Sequence, residues 1–132
     1  MTRETLLKNL SRWDSDCEYH MMDSLQGHAE FFKDEVNSGI SKLWEVDNGE
    51  AYFITRTEHD TNGKKVLVVC CYEGRDIRKV YKLIETSSIK LGYFAIRFHT
   101  KKKGMARFAK WHDFVLLEDR NYEKVFIKYL QH

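Results

Sequence analysis

The stretch that decides the fold is Val66-Leu67-Val68-Val69-Cys70-Cys71, which runs directly into Tyr72-Glu73-Gly74-Arg75-Asp76. An unbroken apolar run leaves no polar face, the mark of a central strand covered on two sides. Gly74-Arg75-Asp76 then opens a long helix with the stripe Ile77, Val80, Tyr81, Ile84, Ser88 and Leu91, closed by Gly92. Tyr93 to His99 follows as a strand, with Phe94, Ile96 and Phe98 on one side.

Working outward, the period is two before this core. Leu43-Trp44-Glu45-Val46 is a short strand, and Asp47-Asn48-Gly49 is a hairpin turn of the type that needs positive φ. Ala51 to Thr57 continues as a strand with Tyr52, Ile54 and Arg56 on one face, and Thr61-Asn62-Gly63 turns the chain again. The first forty residues predict two helices. Leu6, Leu7, Leu10 and Trp13 form one stripe; Asp14-Ser15-Asp16 supplies an N-cap; Met21, Leu25, Ala29, Phe32 and Val36 form the second, with Gly27 inside it. After the core, a short helix has Met105, Phe108, Ala109 and His112 on its inner face. Phe114–Glu118 and Tyr122–Tyr129 make the last two strands.

The expected order is α-α-β-β-β-α-β-α-β-β: one α/β domain over residues 1–132 with a mixed, mostly antiparallel sheet flanked by helices. Residues 1–40 form the helical pair, and 41–132 the sheet core with two helices. Composition agrees, since 132 residues with 42% apolar and 32% charged side chains suit one folded domain. No apolar stretch approaches the roughly 20 residues of a membrane span, and the charged start Met1-Thr2-Arg3-Glu4-Thr5 does not read as a signal peptide. Three cysteines without C-x-x-C spacing support neither a disulfide framework nor a zinc site. Adjacent Cys70 and Cys71 are expected on opposite faces of their strand as reduced thiols. These features fit a cytoplasmic protein.

This succession resembles the GNAT acetyltransferase superfamily over nearly the whole chain. The apolar strand Val66–Cys71 running into a turn and helix matches that family's cofactor-binding core. Ala106-Arg107-Phe108-Ala109-Lys110-Trp111-His112-Asp113-Phe114 resembles its penultimate helix and "Gly-Phe" exit. The family's first strand has no evident counterpart in a chain that begins with helix. The resemblance implies an acyl-CoA-dependent N-acyltransferase using acetyl-CoA or another acyl-CoA, with an acceptor amine and no metal.

Carried onto this sequence, the cofactor-binding residues are Cys70, Cys71, Tyr72, Gly74, Arg75, Asp76, Ile77 and Arg78. Successive N–H groups at the helix start would meet the pyrophosphate, and the thioester would lie beside Cys70–Tyr72. The loop departs from the family's Arg/Gln-x-x-Gly-x-Gly/Ala pattern: it keeps one glycine and adds Glu73 and Asp76, offset by Arg75 and Arg78. The family's general-acid tyrosine is Ala109 here, and the Gly of Gly-Phe is Asp113. Glu73 is the best-placed base by analogy, with Tyr72 and His99 behind it. Divergent members of this fold also occur among small phage proteins. The alternative is therefore a non-catalytic protein-interaction or virion component, whose cleft between the central strand and Tyr93–Thr100 should be filled by side chains.

Arg97, Lys101, Lys102, Lys103, Arg107 and Lys110 form a basic run without an acidic residue between them, suited to phosphate. With a net charge of only +2, nucleic acid is the third reading and not the expected partner. His20 and His28 share a predicted helix face but find no third metal ligand. Trp13, Tyr19, Phe31 and Phe32 are candidates for lining an acceptor or partner groove.

Overall fold

The computed structural model describes residues 5–13, 15–25, 27–75, 77–121 and 123–130. Leu7–Leu10 is strand β1, which pairs antiparallel with β2 (Ser41–Val46). This corrects the helix expected there. Leu7 and Leu10, three apart, would share a helix face, but in a strand they face opposite ways. Each finds a different core: Leu7 packs with the cluster around Val46, and Leu10 with the cluster around Leu43. Apolar layers on both sides of the sheet thus satisfy the same spacing that a helix would.

The second expected helix is two. Helix α1 (Ser15–Leu25) ends where Gly27 takes φ +84°, and α2 (Ala29–Ser38) restarts beyond it. A lone glycine in the left-handed region ends a helix more readily than it continues one. One helix lost and one gained leaves four helices among the described residues, as expected, but seven strands instead of six.

The remaining elements fall close to expectation: β3 (Ala51–His59), β4 (Lys65–Gly74), α3 (Ile77–Lys90), β5 (Ala95–Thr100), α4 (Met105–Trp111), β6 (Val115–Asp119) and β7 (Lys124–Tyr129). Asp47 and Asn48 both adopt positive φ in the β2–β3 turn, as their sequence requires. The sheet runs β1-β2-β3-β4-β5-β7-β6, and β4–β5 is the parallel pair among the described strands. Helices α1 and α2 cover one face through Cys17, Met21, Leu25 and Val36 against Leu43, Ile54 and Cys71. Helices α3 and α4 cover the other through Val80, Tyr81, Ile84 and Phe108 against Phe53, Ile96, Phe98 and Phe126. Each fully buried side chain of this size stabilises by about 1.5–3 kcal/mol. No helix among the described residues is long and apolar enough to cross a membrane.

Candidate functional site

Strands β4 and β5 pair from Val66↔Ala95 to Val69↔Phe98 and then part, β4 running on to Gly74 and β5 to Thr100. Two causes act together. On its β3 side, β4 carries a bulge: Ile54 faces Cys71 and Thr55 faces Val69, which leaves Cys70 as the extra residue. A bulge bends the strand that carries it and increases its twist. On its far side β5 stays zipped to β7 through His99↔Val125 and Thr100↔Lys124, so it does not follow β4.

The bulge also changes which way the side chains point. Leu67, Val69 and Tyr72 pack towards α3 and α4, whereas Cys71 joins the α1–α2 cluster, with Cys70 packed against that same cluster. The expectation that Cys70 and Cys71 face opposite sides is therefore corrected: alternation holds only for a regular strand. All three cysteines are free. Burial pushes the Cys70 thiol up to about 11, despite the opposing charge of Arg56, and pushes Cys71 higher still. Both are neutral thiols at physiological pH and not nucleophiles.

The gap between the strands is an open cleft of about 530 Å³, within the range of small-molecule sites. From the α1–α2 side it is reached by Leu25, His28 and Phe32; from the α3–α4 side by Ile77, Met105 and Phe108. Of the residues predicted from sequence, Cys70, Cys71, Tyr72, Glu73, Gly74, Ile77 and His99 line it. Arg75 and Arg78 do not. The Arg75 N–H donates to the Glu50 carbonyl at 3.3 Å. The Arg78 guanidinium lies 3.7 Å from the centre of the Trp111 ring, tying α3 to α4. Asp76 lies outside the described residues. Of the four candidate groove aromatics, only Phe32 reaches the cleft; Tyr19 and Phe31 are exposed, and Trp13 Nε1 donates to Glu18 at 3.0 Å.

Three predicted residues have specific partners. Glu73 Oε1 accepts from Lys102 Nζ at 2.9 Å, an ion pair that joins the end of β4 to the loop after β5. The Tyr72 hydroxyl donates to the Arg75 carbonyl at 2.6 Å. Gly74 has φ +128°, and a Cβ there would stand 2.5 Å from Ala51 Cα and from the Glu50 carbonyl oxygen. The glycine is required by the closeness of β3.

The basic run is not one patch. Arg97 points to the α1–α2 face, where its NH2 meets Glu58 at 2.7 Å; Glu58 also holds Arg56 at 2.6 Å, and Arg56 reaches Glu35 at 3.1 Å. Burial alone would raise the Glu58 carboxyl, but the hydrogen bonds from Arg97 and Arg56 outweigh it and leave it below the usual range. Lys101, Lys103, Arg107 and Lys110 remain at the surface. His20 and His28 are separated by the helix break, His20 stacking on Tyr52 at 5.6 Å, and no metal-holding cluster exists among the described residues.

Sequence reasoning passed over Glu123. Its Oε1 lies 3.2 Å from His99 Nδ1, and both residues line the cleft. Their separation of 24 residues, spanning α4 and β6, leaves no local signal. Asp113, by contrast, takes φ +64°, the backbone conformation natural to the glycine of the resembled motif. Phe114 N–H donates to Ala109 O at 2.8 Å and Asp113 N–H to Lys110 O at 3.4 Å, so α4 ends in a Schellman motif with an aspartate in the glycine place.

No protein-family model matches the sequence, and no curated protein matches it. Solved structures do. FeeM, an N-acyl amino acid synthase from uncultured soil microbes, is 9% identical, with a TM-score of 0.71 over 97% of this chain and 92% of FeeM. Campylobacter jejuni N-acetyltransferase PseH is 11% identical, with a TM-score of 0.64 over 96% of this chain and 99% of PseH. Arabidopsis thaliana NAA60, solved in complex with acetyl-CoA, is 12% identical at the same TM-score, over 96% of this chain and 99% of NAA60. At such identities the likeness is one of fold. The chain is a single α/β domain with the GNAT fold.

Proposed function

We propose that this protein is an acyl-CoA-dependent N-acyltransferase, with acetyl-CoA or another acyl-CoA as donor and an amine as acceptor. The observation that carries the reading is the open cleft between β4 and β5, in the place that a purely binding descendant would be expected to fill with side chains. The residues suit such a donor. An extended apolar arm has Ile77, Met105 and Phe108 to pack on, and the start of α3 directs backbone N–H groups towards a pyrophosphate. Lys101 and Lys102 stand at the lining, and Lys102 offsets the charge of Glu73.

When bound, the donor supplies an activated acyl group as a thioester. Backbone N–H groups of the bulged segment Cys70–Tyr72 polarise its carbonyl. Gly74 keeps the turn close to β3, and Glu73 with Lys102 braces the parting strands. Exposed Val115, Leu116 and Leu117 on edge strand β6 support the alternative, a non-catalytic protein-interaction component.

A thermal-shift titration with acetyl-CoA and coenzyme A separates the two. Ligand at about 100 times its dissociation constant adds roughly 2.7 kcal/mol of apparent stability. Met105→Trp, which fills the cleft from α4 without disturbing the sheet, should abolish the shift while the protein stays folded. Absence of any shift at millimolar ligand would sink the acyltransferase reading and leave the interaction component.

A further inference from the structure

The geometry points to His99, oriented by Glu123, as the group that takes the proton from the acceptor amine. This inference rests on the acyltransferase reading and adds to it the catalytic base and the form of the acceptor, a protonated primary amine.

Position comes first. Phe98 is the last β5 residue paired with β4, so His99 is the first beyond the fork. Its own strand does not move with the opening, because His99 stays in register with Val125 of β7. Side chains alternate along β5: Ile96 and Phe98 belong to the α3–α4 core, while Ala95 packs on the opposite face. His99 shares the face of Ala95, the side from which Leu25, His28 and Phe32 approach the cleft. The donor arm packs against α3 and α4; the base stands on the other face, beside the segment Cys70–Tyr72. An amine entering past α1 and α2 meets His99 before it meets the thioester.

Orientation comes second. Glu123 is held from its other side by Arg120, whose backbone N–H donates to the Glu123 carbonyl at 2.9 Å and whose NH1 lies 3.6 Å from Glu123 Oε2. An ionised carboxylate only accepts, so it places the proton on His99 Nδ1 and leaves the Nε2 lone pair for the cleft. His99 is about a quarter exposed, its side chain at 28%, so solvent can carry the proton away.

Three other cleft groups are committed. Glu73 is paired with Lys102, the Tyr72 hydroxyl donates to Arg75, and Cys70 is a neutral thiol. His28 is exposed and makes no side-chain capping bond that would orient it. Glu123 and, on β6, Glu118 face His99, the Glu118 carboxyl being held low chiefly by its hydrogen bond from Arg120 and also feeling His99, while Lys101 and Lys102 line the same cleft. Arg97, two residues back on the same strand, is occupied by Glu58.

His99 Nε2 removes one proton from the ammonium, and the freed nitrogen lone pair bonds to the thioester carbonyl carbon. The carbon–sulfur bond breaks with its electrons on sulfur, and a second nitrogen proton goes to that sulfur. An amide, a thiol and protonated His99 result, and His99 returns its proton to water.

The first test needs no donor. Long-range proton–nitrogen correlation spectra of the imidazoles, assigned by loss of one signal in His99→Gln, should show His99 with its proton on Nδ1. Glu123→Gln, whose amide can donate, should move that proton to Nε2. A wild-type His99 protonated on Nε2 overturns the dyad outright. The second test follows thiol release from acetyl-CoA with spermidine, L-lysine and glycinamide as acceptors. His99→Gln should keep the acetyl-CoA thermal shift and lose about 10²–10⁴-fold in turnover. Glu123→Gln should lose at least about 10-fold through the wrong tautomer. Wild-type kcat/KM should rise with pH, and this limb should vanish in His99→Gln. Normal turnover and an unchanged pH profile in His99→Gln overturn the dyad and leave the acyltransferase standing. A wild-type protein that shows no thermal shift, or binds acetyl-CoA but acylates none of these amines, overturns both.

Discussion

Replacing Gly74 by alanine measures what the glycine before α3 does. Its φ of +128° lies where an L side chain is strained, and the new Cβ would stand 2.5 Å from Ala51 Cα and the Glu50 carbonyl oxygen, both backbone atoms of β3. Neither can swing aside as a side-chain tip would, because Ala51 is the register partner of Gly74 and Glu50 accepts the Arg75 N–H. Gly63→Ala is the control. There φ is +78° and nothing lies within 4 Å, so only the backbone conformation is penalised. That penalty is about 1–2 kcal/mol, and overpacking at Gly74 adds about 1–3 kcal/mol. With an unfolding entropy of about 2.1 cal/mol/K per residue, a chain of 132 residues loses about 4 °C of Tm per kcal/mol. Gly63→Ala should therefore lower Tm by roughly 4–8 °C and Gly74→Ala by roughly 8–20 °C, read by differential scanning calorimetry without ligand. Equal shifts in the two variants would refute the crowding against β3 and return Gly74 to a role in approaching a phosphate.

Asp113→Gly should raise stability by about 0.5–1 kcal/mol, because relief of the left-handed strain exceeds glycine's greater freedom in the unfolded chain; urea denaturation with an unchanged m-value checks it. Glu58, held below the usual carboxylate range between Arg97 and Arg56, contributes stability present above its unfolded pKa and lost as pH falls through the folded value. Unfolding midpoints measured down the acid range should thus drop less steeply in Glu58→Gln than in wild type. Cys70, pushed up to about 11 by burial, should be alkylated by iodoacetamide at pH 8 on the order of 100-fold more slowly than free cysteine; mass spectrometry showing rapid labelling at Cys70 would mean the cleft opens further than the structure shows.

What the sequence determined by itself is what lies in short windows. The uninterrupted run Val66–Cys71 marked the central strand; the stripe from Ile77 to Ser88 marked α3; positive-φ residues at Asp47-Asn48-Gly49 placed a hairpin. Together with the other periodic stretches and the segment Ala106–Phe114, these windows carry the α/β order and the GNAT likeness. Windows failed where two periodicities coincide. Leu7 and Leu10 satisfy a helix by spacing and a strand by facing two different cores, and only the presence of both cores decides between them. The site was legible as a segment and not as a constellation. Residues from Cys70 to Ile77 were marked by their place after the strand, but their partners are remote. Lys102 reaches Glu73 across 29 positions, Glu123 reaches His99 across 24, and Glu50 and Ala51 close on Gly74 from the neighbouring strand. The tertiary structure alone decided that the β4 bulge and the grip of β7 on β5 hold the two parallel strands apart. Local sequence sets each strand's pleat, but a gap between strands depends on what each is bonded to on its other side.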